Sequence, residues 1–577
     1  MFFKGFSVNS VSSVYKKGIK KQSLSEMTGM VEFYAMLTQR TFIREEWANL
    51  ILGTSLLFGL ILRLFPGLMA GFPLNDGGMF LIMIRELRAD SFALPAFTGY
   101  NYAAIPFAYP PFGLYIAALL SASGVSEMDV LRWLPVAVNF LSIPAFFLLA
   151  AALLNDRPRA ALATAFFALT ASSYSWQIMG GGVTRSFGMA FFILAMWSVY
   201  QMFQSREWRL VLRSILLCAL AVLSHPEVSL ATAANCALLW IFFGRTRSGT
   251  VQAALVGLGT LLATSVWWGS VLAQHGLGPF LSVIHSGAYI DSPLQGIFSA
   301  LFSPASLFTL PGLLRMAGIV WFIKQKHFFL LAWLVMPFFV EPRSALAIAF
   351  LPSCLLFAVG LMDALPSVVD WIKTKRGQAV SSLDATQRRW LSLTVLGIVF
   401  YLFLQSALYD FRLINTSLVP PHPQAAFDWV RRNTPRASQF FILTGRPGIM
   451  SDPMQEWFPA LAERRSQTTL QGLEWTLGPA FFPRLEDLVA LQACKRVLCV
   501  EAWSAATGLG YSHVVIQISQ SSEVLHAAFL AEDAYQLVYE NPEVEIFEKL
   551  SATVGTGTLR HLRSARRLSV PTVTLSY

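Results

Sequence analysis

The first residue whose setting suggests chemistry is Asp76, within the stretch GFPLNDGGMFL at positions 71–81. It follows a long apolar run and directly precedes Gly77 and Gly78. One interpretation is a helix cap, because aspartate accepts backbone N–H bonds at helix starts. The other is a general base at the membrane surface, beside apolar walls, that takes a proton from a hydroxyl. The two roles are compatible, and the sequence leaves both open.

Two arginines are candidates for binding an anion. Arg343 precedes an apolar segment, and a guanidinium forks onto phosphate oxygens, although a snorkelling interface residue would fit equally well. Arg185 follows three glycines in GGGVTRS. Glycine N–H groups could help it to meet a phosphate, or the glycines could serve only close helix packing.

Three further residues are predicted to contact substrate. His225 and Glu227 open another apolar run, where charged groups are functional candidates, although Glu227 also suits a helix start by its charge. Tyr102 lies in an aromatic stretch that fits either sugar contact or an interfacial belt. Arg315 lies deeper in its own segment, and we assign it no role.

The elements that carry these residues are membrane helices. Of the 577 residues, 55% are hydrophobic and 13% are charged, and the mean hydropathy is +0.54. A soluble protein of this length would be roughly 25% charged. Repeated apolar runs of about 20 residues predict a polytopic membrane protein.

The distribution of charge separates the chain into parts. The formal net charge is +10, yet the residues from Asp410 onward hold 15 Lys/Arg and 16 Asp/Glu. The basic excess therefore belongs to the membrane half, where Lys and Arg in short loops set orientation. Nucleic-acid binding would need a basic face on a soluble domain, so no nucleic-acid partner is expected.

We predict three regions and an orientation. A cytoplasmic tail covers 1–46, a membrane domain of about eleven helices covers 47–409, and an extracytoplasmic α/β domain covers 410–577. A long first outer loop covers 71–131. This scheme requires the segment 109–125, which begins with two prolines, to lie along the outer surface as a helix.

The C-terminal region reads as an ordinary mixed domain. The segment 425–435 predicts an amphipathic helix, 439–445 and 512–519 predict strands, and 535–550 resembles a hairpin. Cys494 and Cys499 lie in this domain, where a disulfide is chemically permitted but not required. Their spacing is a poor match for a zinc site.

The architecture resembles the GT-C-type membrane glycosyltransferases, which include protein O-mannosyltransferases and aminoarabinose transferases. The likeness rests on an acidic residue after the first span, a short helix, and then a Pro-Pro surface helix before the next span. The segments EPRSALAIAFLPSCLLFAVGL, NTPRASQFFILTG and EWFPALAERRSQTTLQGLEW are also similar to uncharacterised bacterial relatives.

The resemblance implies transfer of a sugar from a polyprenyl-phosphate donor to a lipid, glycan or protein acceptor on the outer face. Asp76 would deprotonate the acceptor, and Arg343 would hold the carrier phosphate. The stretch SWQIMGGGVTRSFG lacks the second carboxylate that family members often carry, which puts a two-acid mechanism and a carboxylate-bound metal in doubt.

No cofactor is expected, since neither GxxxxGK[ST] nor GxGxxG occurs in a suitable setting, while a divalent metal stays open. The alternative functions are a membrane transporter, a lipid flippase, or a catalytically silent scaffold of the same fold. The absence of internal repeats, and polar residues gathered at one edge, count against transport.

Overall fold

The computed structural model describes residues 45–286, 292–378 and 384–550. The predicted tail, except for Glu45 and Glu46, lies outside the described residues. The chain forms a large helical bundle followed by a smaller domain built on a mixed sheet. This confirms the predicted fold class of a helical membrane domain with a C-terminal α/β domain.

The first half of the bundle places the loops that carry the polar residues. Its helices are α1 (Glu45–Ala70), α2 (Gly78–Ala89), α3 (Phe112–Ala122), α4 (Glu127–Leu154), α5 (Arg157–Leu169), α6 (Gly182–Ser205), α7 (Arg209–Val222), α8 (Pro226–Phe243) and α9 (Arg247–His275). A two-residue strand pair, β1 (Phe97–Thr98) and β2 (Ile105–Pro106), closes the loop between α2 and α3.

The second half of the bundle begins with short helices and ends in one long helix. Its helices are α10 (Gly278–Ser286), α11 (Pro293–Phe302), α12 (Pro304–Leu307), α13 (Leu310–Lys324), α14 (Phe329–Val335), α15 (Pro337–Val340), α16 (Ala345–Val359), α17 (Leu365–Lys375) and α18 (Ala385–Ser417). A π-helical turn, Gly360–Ala364, joins α16 to α17. Helix α18 continues to Ser417, eight residues beyond the predicted boundary at 409.

Seven helical segments among the described residues are long and apolar enough to cross a membrane, which makes the chain a multi-pass membrane protein. They are Glu45–Ala70, Glu127–Leu154, Gly182–Ser205, Pro226–Phe243, Arg247–His275, Ala345–Lys375 and Ala385–Asn433. Helix α3 has 11 residues and is therefore about 16 Å long, too short to cross the roughly 30 Å hydrocarbon core. Its buried face instead packs into a cluster shared with the C-terminal domain.

The C-terminal domain has a five-stranded sheet of order β4-β3-β5-β7-β6. Its elements are α19 (Pro421–Asn433), β3 (Gln439–Leu443), α20 (Pro453–Ala462), β4 (Arg465–Ser466), α21 (Phe481–Gln492), α22 (Val497–Thr507), β5 (His513–Gln517), α23 (Glu523–Leu530), β6 (Tyr535–Glu540) and β7 (Val544–Lys549). Strand β3 pairs in parallel with β4 and β5, while β7 pairs antiparallel with β5 and β6. The predicted hairpin is present as β6 and β7.

Alternation along β3 shows how this domain attaches to the bundle. Phe440 and Ile442 belong to a core that also contains residues of α2, α3 and α20. Phe441 and Leu443 face the opposite way, into a core with residues of α21, α22 and α23. Because side chains alternate across a strand, one face of the sheet packs toward α2 and α3 of the bundle. The other face is covered by the domain's own helices. Cys494 and Cys499 form a disulfide in this second layer.

Candidate functional site

The loop that carries Asp76 is clamped from two directions. Asn75 has a left-handed backbone with φ of 53°, and its N–H donates to the carbonyl of Ser417 at 2.7 Å. The indole Nε1 of Trp457, on α20, donates to the carbonyl of Asn75 at 2.8 Å. The end of the bundle and the C-terminal domain therefore fix the position of Asp76 together.

The Asp76 side chain does not cap helix α2. The N-cap position is Gly77, which has no side-chain cap. The Glu456 Oε1, from the C-terminal domain, instead accepts the N–H groups of Gly77 at 3.3 Å and Met79 at 3.2 Å. The interpretation of Asp76 as the cap of the helix that follows it is therefore wrong. A glutamate about 380 positions away in the sequence accepts the N–H groups at the start of α2 instead.

Asp76 binds Arg185 through both carboxylate oxygens. Arg185 Nη1 lies 2.6 Å from Asp76 Oδ2, and Nη2 lies 2.9 Å from Oδ1. The N–H of Gly181 also donates to Oδ1 at 3.0 Å. Asp76 is only 6% exposed, so the pair is buried. Such charge-assisted, forked bonds fix the orientation of both side chains.

The glycines beside Arg185 permit this close approach. A Cβ atom on Gly181 would lie 2.4 Å from Asp76 Oδ2, and one on Gly180 would lie 2.0 Å from the Asp76 carbonyl. Arg185 is further held by the Trp176 carbonyl, which accepts from Nε at 3.1 Å, and by the Trp176 ring. The glycine turn is thus explained by contact with the Asp76 loop.

Arg343 lies among three carboxylates. Its Nε is 3.2 Å from Glu227 Oε1, and its Nη2 is 3.8 Å from Glu474 Oε1. Burial, followed by the nearby Glu227 carboxylate, raises the pKa of Glu341 to about 7. Burial also raises the pKa of Glu474. One guanidinium thus lies beside several carboxyl groups, of which Glu341 titrates near neutral pH.

His225 is buried next to this group. Its ring contacts Tyr109 edge-on, with centroids 5.9 Å apart. Burial, and then the charges of Arg185 and Arg343, hold the pKa of His225 well below its ordinary value. Its Nδ1 has no hydrogen-bond partner within the described part of the chain. A neutral imidazole with a free ring nitrogen can donate to, or accept from, a polar ligand.

These residues line one cavity of about 1190 Å³ between the bundle and the C-terminal domain. Its polar lining includes Asp76, Tyr109, Arg185, His225, Glu227, Arg315, Glu341, Arg343 and Glu474. Apolar side chains such as Phe80, Leu301 and Phe338 supply much of the remaining wall. Leu230 and Leu346 line the cavity and are 44% and 63% exposed, respectively.

Five of the six predicted site residues therefore share one space: Asp76, Arg185, His225, Glu227 and Arg343. Tyr102 does not line it. That side chain is 53% exposed, and its hydroxyl donates to the Glu463 carbonyl at 3.3 Å. Its role in substrate binding stays a prediction without a contact to the cavity.

Glu456 and Glu474, which the C-terminal domain supplies, were not among the predicted site residues. Each directly precedes a tryptophan: Trp457 donates to the carbonyl of Asn75, and Trp475 lines the cavity. The Glu-Trp dipeptide also occurs at Glu46 and Glu207, outside the cavity, so it was only a weak signal for this pair. Within residues 45–286, 292–378 and 384–550, no group of three or more His, Cys, Asp and Glu side chains is arranged to hold a metal ion.

No family model matches the chain, and no curated protein matches it significantly. Solved structures do match. The archaeal oligosaccharyltransferase AglB from Archaeoglobus fulgidus, in complex with an inhibitory peptide and a dolichol-phosphate, is similar at 14% identity with a TM-score of 0.50. The match covers 89% of this chain and 75% of AglB.

Two further solved structures of glycosyltransferases are similar in fold to this chain. ArnT from Cupriavidus metallidurans, in the apo state, matches at 15% identity and a TM-score of 0.50, over 89% of this chain and 99% of ArnT. A variant of the arabinofuranosyltransferase AftD from Mycobacteria matches at 16% identity and a TM-score of 0.51, over 88% of this chain. The chain spans 42% of AftD. The fold is therefore that of the GT-C membrane glycosyltransferases.

Proposed function

We propose that this chain is a membrane glycosyltransferase that moves a sugar from a polyprenyl-phosphate donor to an acceptor on the extracytoplasmic face, with Asp76 as general base. The observation that carries the proposal is the placement of buried Asp76 in the same cavity as Arg185 and Arg343. A base and two phosphate-binding cations are what the reaction needs. The fold neighbours support the same class of reaction, since AglB was solved with a dolichol-phosphate.

The cavity suits a donor with a sugar, a phosphate and a prenyl chain. Ligand sites of small molecules are roughly 300–1,000 Å³, and this one is about 1190 Å³. Its polar residues gather where the C-terminal domain covers the bundle. Leu230 and Leu346, which line the cavity and are exposed, offer an apolar path for the prenyl chain.

The chemistry requires that Asp76 be released from Arg185. In the structure Arg185 binds both carboxylate oxygens of Asp76. A donor phosphate competes for this guanidinium, and an oxygen of Asp76 then becomes free to accept a proton. The acceptor hydroxyl oxygen attacks the anomeric carbon, which inverts, and the carbon–oxygen bond to phosphate breaks. The bonding electrons leave with the carrier phosphate, and the hydroxyl proton ends on Asp76.

The orientation of the site is part of the proposal. The disulfide between Cys494 and Cys499 supports an oxidising compartment for the C-terminal domain. The concentration of Lys and Arg in the loops at the other end of the bundle supports a cytoplasmic location for those loops. The acceptor would then meet the cavity from outside the cytoplasm.

A catalytically silent scaffold is the second candidate, favoured by one observation. Arg185 and the Gly181 N–H together satisfy both oxygens of Asp76, so a chain that never releases this pair would not catalyse transfer. The test below separates the two candidates.

The test is Asp76→Asn in the full-length protein, with Asp363→Asn as a matched control. Asp363 also forms a buried, forked pair, with Arg159 at 2.9 Å and 2.5 Å, but neither residue lines the cavity. Both variants lose a comparable ion pair, so both should lose comparable stability. We expect only Asp76→Asn to lose turnover, by about 10²–10⁴-fold, while it still binds undecaprenyl phosphate.

Turnover is measured as release of undecaprenyl phosphate from the lipid-linked sugars of the native organism, with the purified protein in nanodiscs. Accumulation of lipid-linked sugar in cells that carry only Asp76→Asn is the second readout. Turnover of Asp76→Asn within threefold of the wild type would remove Asp76 as the base. Wild-type protein that binds the carrier but releases none from any lipid-linked sugar would favour the silent scaffold.

A further inference from the structure

Helix α17 lies outside the packed bundle, although the turn before it lies deep inside. All five residues of the π-helical turn Gly360–Ala364 are buried, and Asp363 of this turn binds Arg159. The next eleven residues form α17, and none of them is buried. The chain therefore leaves the bundle at Leu365 and continues as a helix whose side chains are all at least partly accessible.

The length of the preceding helix places this boundary at a membrane surface. Helix α16 has 15 residues and the π-helical turn has 5. At 1.5 Å per residue they span about 30 Å, which is the thickness of a hydrocarbon core. Helix α16 starts just after Arg343, which lines the cavity. Helix α17 therefore begins where the chain emerges from lipid at the opposite end of the bundle.

The large apolar residues of α17 form a stripe along one side. They fall within about 100° of the helix circumference. They are Leu365, Val368, Val369 and Ile372, with exposed fractions of 45%, 52%, 43% and 38%. Ser367, Asp370 and Thr374 lie on the opposite face. The helix is therefore amphipathic, although none of its four large apolar side chains in the stripe is buried.

Basic residues flank this stripe on both edges. Lys373 lies about 40° beyond Val369 on one edge, and Lys375 lies about 20° beyond Val368 on the other. Trp371, which is 61% exposed, lies next to Lys375. The wider segment 365–390 contains five Lys/Arg and two Asp/Glu, a net charge of +3. Lysines in such positions place their stems on an apolar face and their ammonium groups among lipid headgroups.

Charge and position select a bilayer surface as the occupant of this stripe. The bundle from which α17 emerges crosses a membrane, so the stripe starts beside acyl chains. Exposure of four large apolar side chains to water is unfavourable. Anionic lipid headgroups complement the net positive charge of the segment. An apolar face with basic edges and a tryptophan is typical of helices that lie in the membrane plane.

We infer that α17 lies in the membrane surface at the end of the bundle opposite the cavity, with its apolar stripe among acyl chains and its lysines on anionic lipid headgroups. This inference uses the multi-pass bundle and the exposed surface of α17. It does not depend on the proposed glycosyltransferase activity.

The test places a fluorescent bimane label on single introduced cysteines of the full-length protein in nanodiscs. Val369→Cys reports on the apolar stripe, with Val368→Cys as a second reporter. Thr374→Cys is the matched control, because this residue is also exposed and lies on the opposite face of the same helix. The parent protein is labelled in parallel to correct for the native free cysteines, which are Cys218, Cys236 and Cys354. The apparent Tm of each variant confirms that it is folded.

Phosphatidylcholine with brominated acyl chains should quench the label at Val369→Cys about twofold or more above the label at Thr374→Cys, because bromine lies among the acyl chains. Iodide in the aqueous phase should show the reverse order. The two quenchers thus report separately on lipid and on water.

Brominated phosphatidylglycerol tests the headgroup contact in the same assay. At equal mole fraction it should quench Val369→Cys more strongly than brominated phosphatidylcholine. Replacing Lys373 and Lys375 by Gln should lower this selectivity by about fivefold per lysine. Lys324→Gln with Lys326→Gln is the matched control, because it removes two exposed lysines with the same spacing from another loop, and the selectivity should remain.

Three outcomes would overturn the inference. Equal quenching of Val369→Cys and Thr374→Cys by iodide would place the apolar stripe in water. Protection of Val369→Cys from both quenchers would show that protein covers the stripe, either from this chain or from a partner. Equal quenching by brominated phosphatidylglycerol and phosphatidylcholine would show that anionic headgroups do not collect at these lysines. None of these results bears on Asp76, so the proposed function is tested separately.

Discussion

Glu456 links the C-terminal domain to the Asp76 loop, and its protonation should control the stability of that link. Its Oε1 accepts the N–H groups of Gly77 and Met79 at the start of α2. Burial, followed by the nearby charge of Asp76, raises the pKa of Glu456 to about 8. The carboxyl group is therefore neutral at pH 7 in the folded protein, and a neutral carboxyl can still accept both bonds.

The sign of the pH dependence follows from this shift. In the unfolded chain Glu456 titrates near its ordinary value of about 4.5. Between about pH 4.5 and pH 8 the folded protein holds a proton that the unfolded chain has released. The free energy of unfolding therefore falls as pH rises through this window, by at most about 1.4 kcal/mol per pH unit. From pH 5.5 to pH 7 the loss is about 2 kcal/mol. Below and above the window Glu456 contributes no further change.

The perturbation is Glu456→Gln, whose amide oxygen can accept the same two bonds and cannot ionise. We expect the variant to match the wild type near pH 5 and to be more stable than it at pH 8. The assay is the apparent Tm at one scan rate across pH 5 to pH 9, since membrane proteins often unfold irreversibly. Glu486→Gln, an exposed glutamate on α21, is the control and should follow the wild-type curve.

Parallel loss of apparent Tm in the wild type and in Glu456→Gln would refute the reasoning. It would mean that Glu456 is ionised in the folded protein and that burial does not control its titration. A variant that is less stable than the wild type at every pH would show instead that the amide does not replace the carboxyl as an acceptor.

Three further changes probe the same interface and cavity. Gly78→Ala should destabilise the protein by about 1–3 kcal/mol, because the new Cβ would lie 2.4 Å from a backbone carbonyl of the C-terminal domain. Gly53→Ala is the control, since a Cβ there meets nothing within 4 Å. Equal Tm values for the two variants would contradict this prediction. Removing the disulfide by Cys494→Ser and Cys499→Ser should lower the free energy of unfolding by about 2 kcal/mol, because the loop it closes is short. Proteolysis of the C-terminal domain should then be faster than in the wild type. Reductant should accelerate proteolysis of the wild type and not of the variant. Because the pKa of Glu341 is raised to about 7, the cavity is more positive below pH 7. The affinity of the wild type for undecaprenyl phosphate, relative to that of Glu341→Gln, should therefore fall from pH 6 to pH 8; the ratio is used because the phosphate itself loses a proton in this range. A constant ratio in equilibrium binding would exclude this glutamate.

Hydropathy and charge predicted much of the architecture because they reflect the solvent that each segment meets. Apolar runs must be helical in lipid, since backbone polar groups have no water to bind there. Strand β3 was visible as QFFIL because both of its faces are buried, and the hairpin of β6 and β7 was visible by its turn. Hydropathy and charge also predicted that Asp76, Arg185 and Arg343 lie at the same end of the bundle, and the three residues line one cavity.

The sequence by itself determined that the chain crosses a membrane, that a mixed domain follows, and that its polar residues collect at one edge. Only the tertiary structure decided which charges meet. Asp76 binds Arg185, 109 positions away, and the start of α2 is capped by Glu456, 379 positions from Gly77. It also left Arg315 without a carboxylate among the described residues. The local sequence pattern indicates whether a segment is surrounded by lipid, water or protein. An ion pair depends on how helices that are distant in sequence pack together, and a short stretch of sequence does not specify that packing.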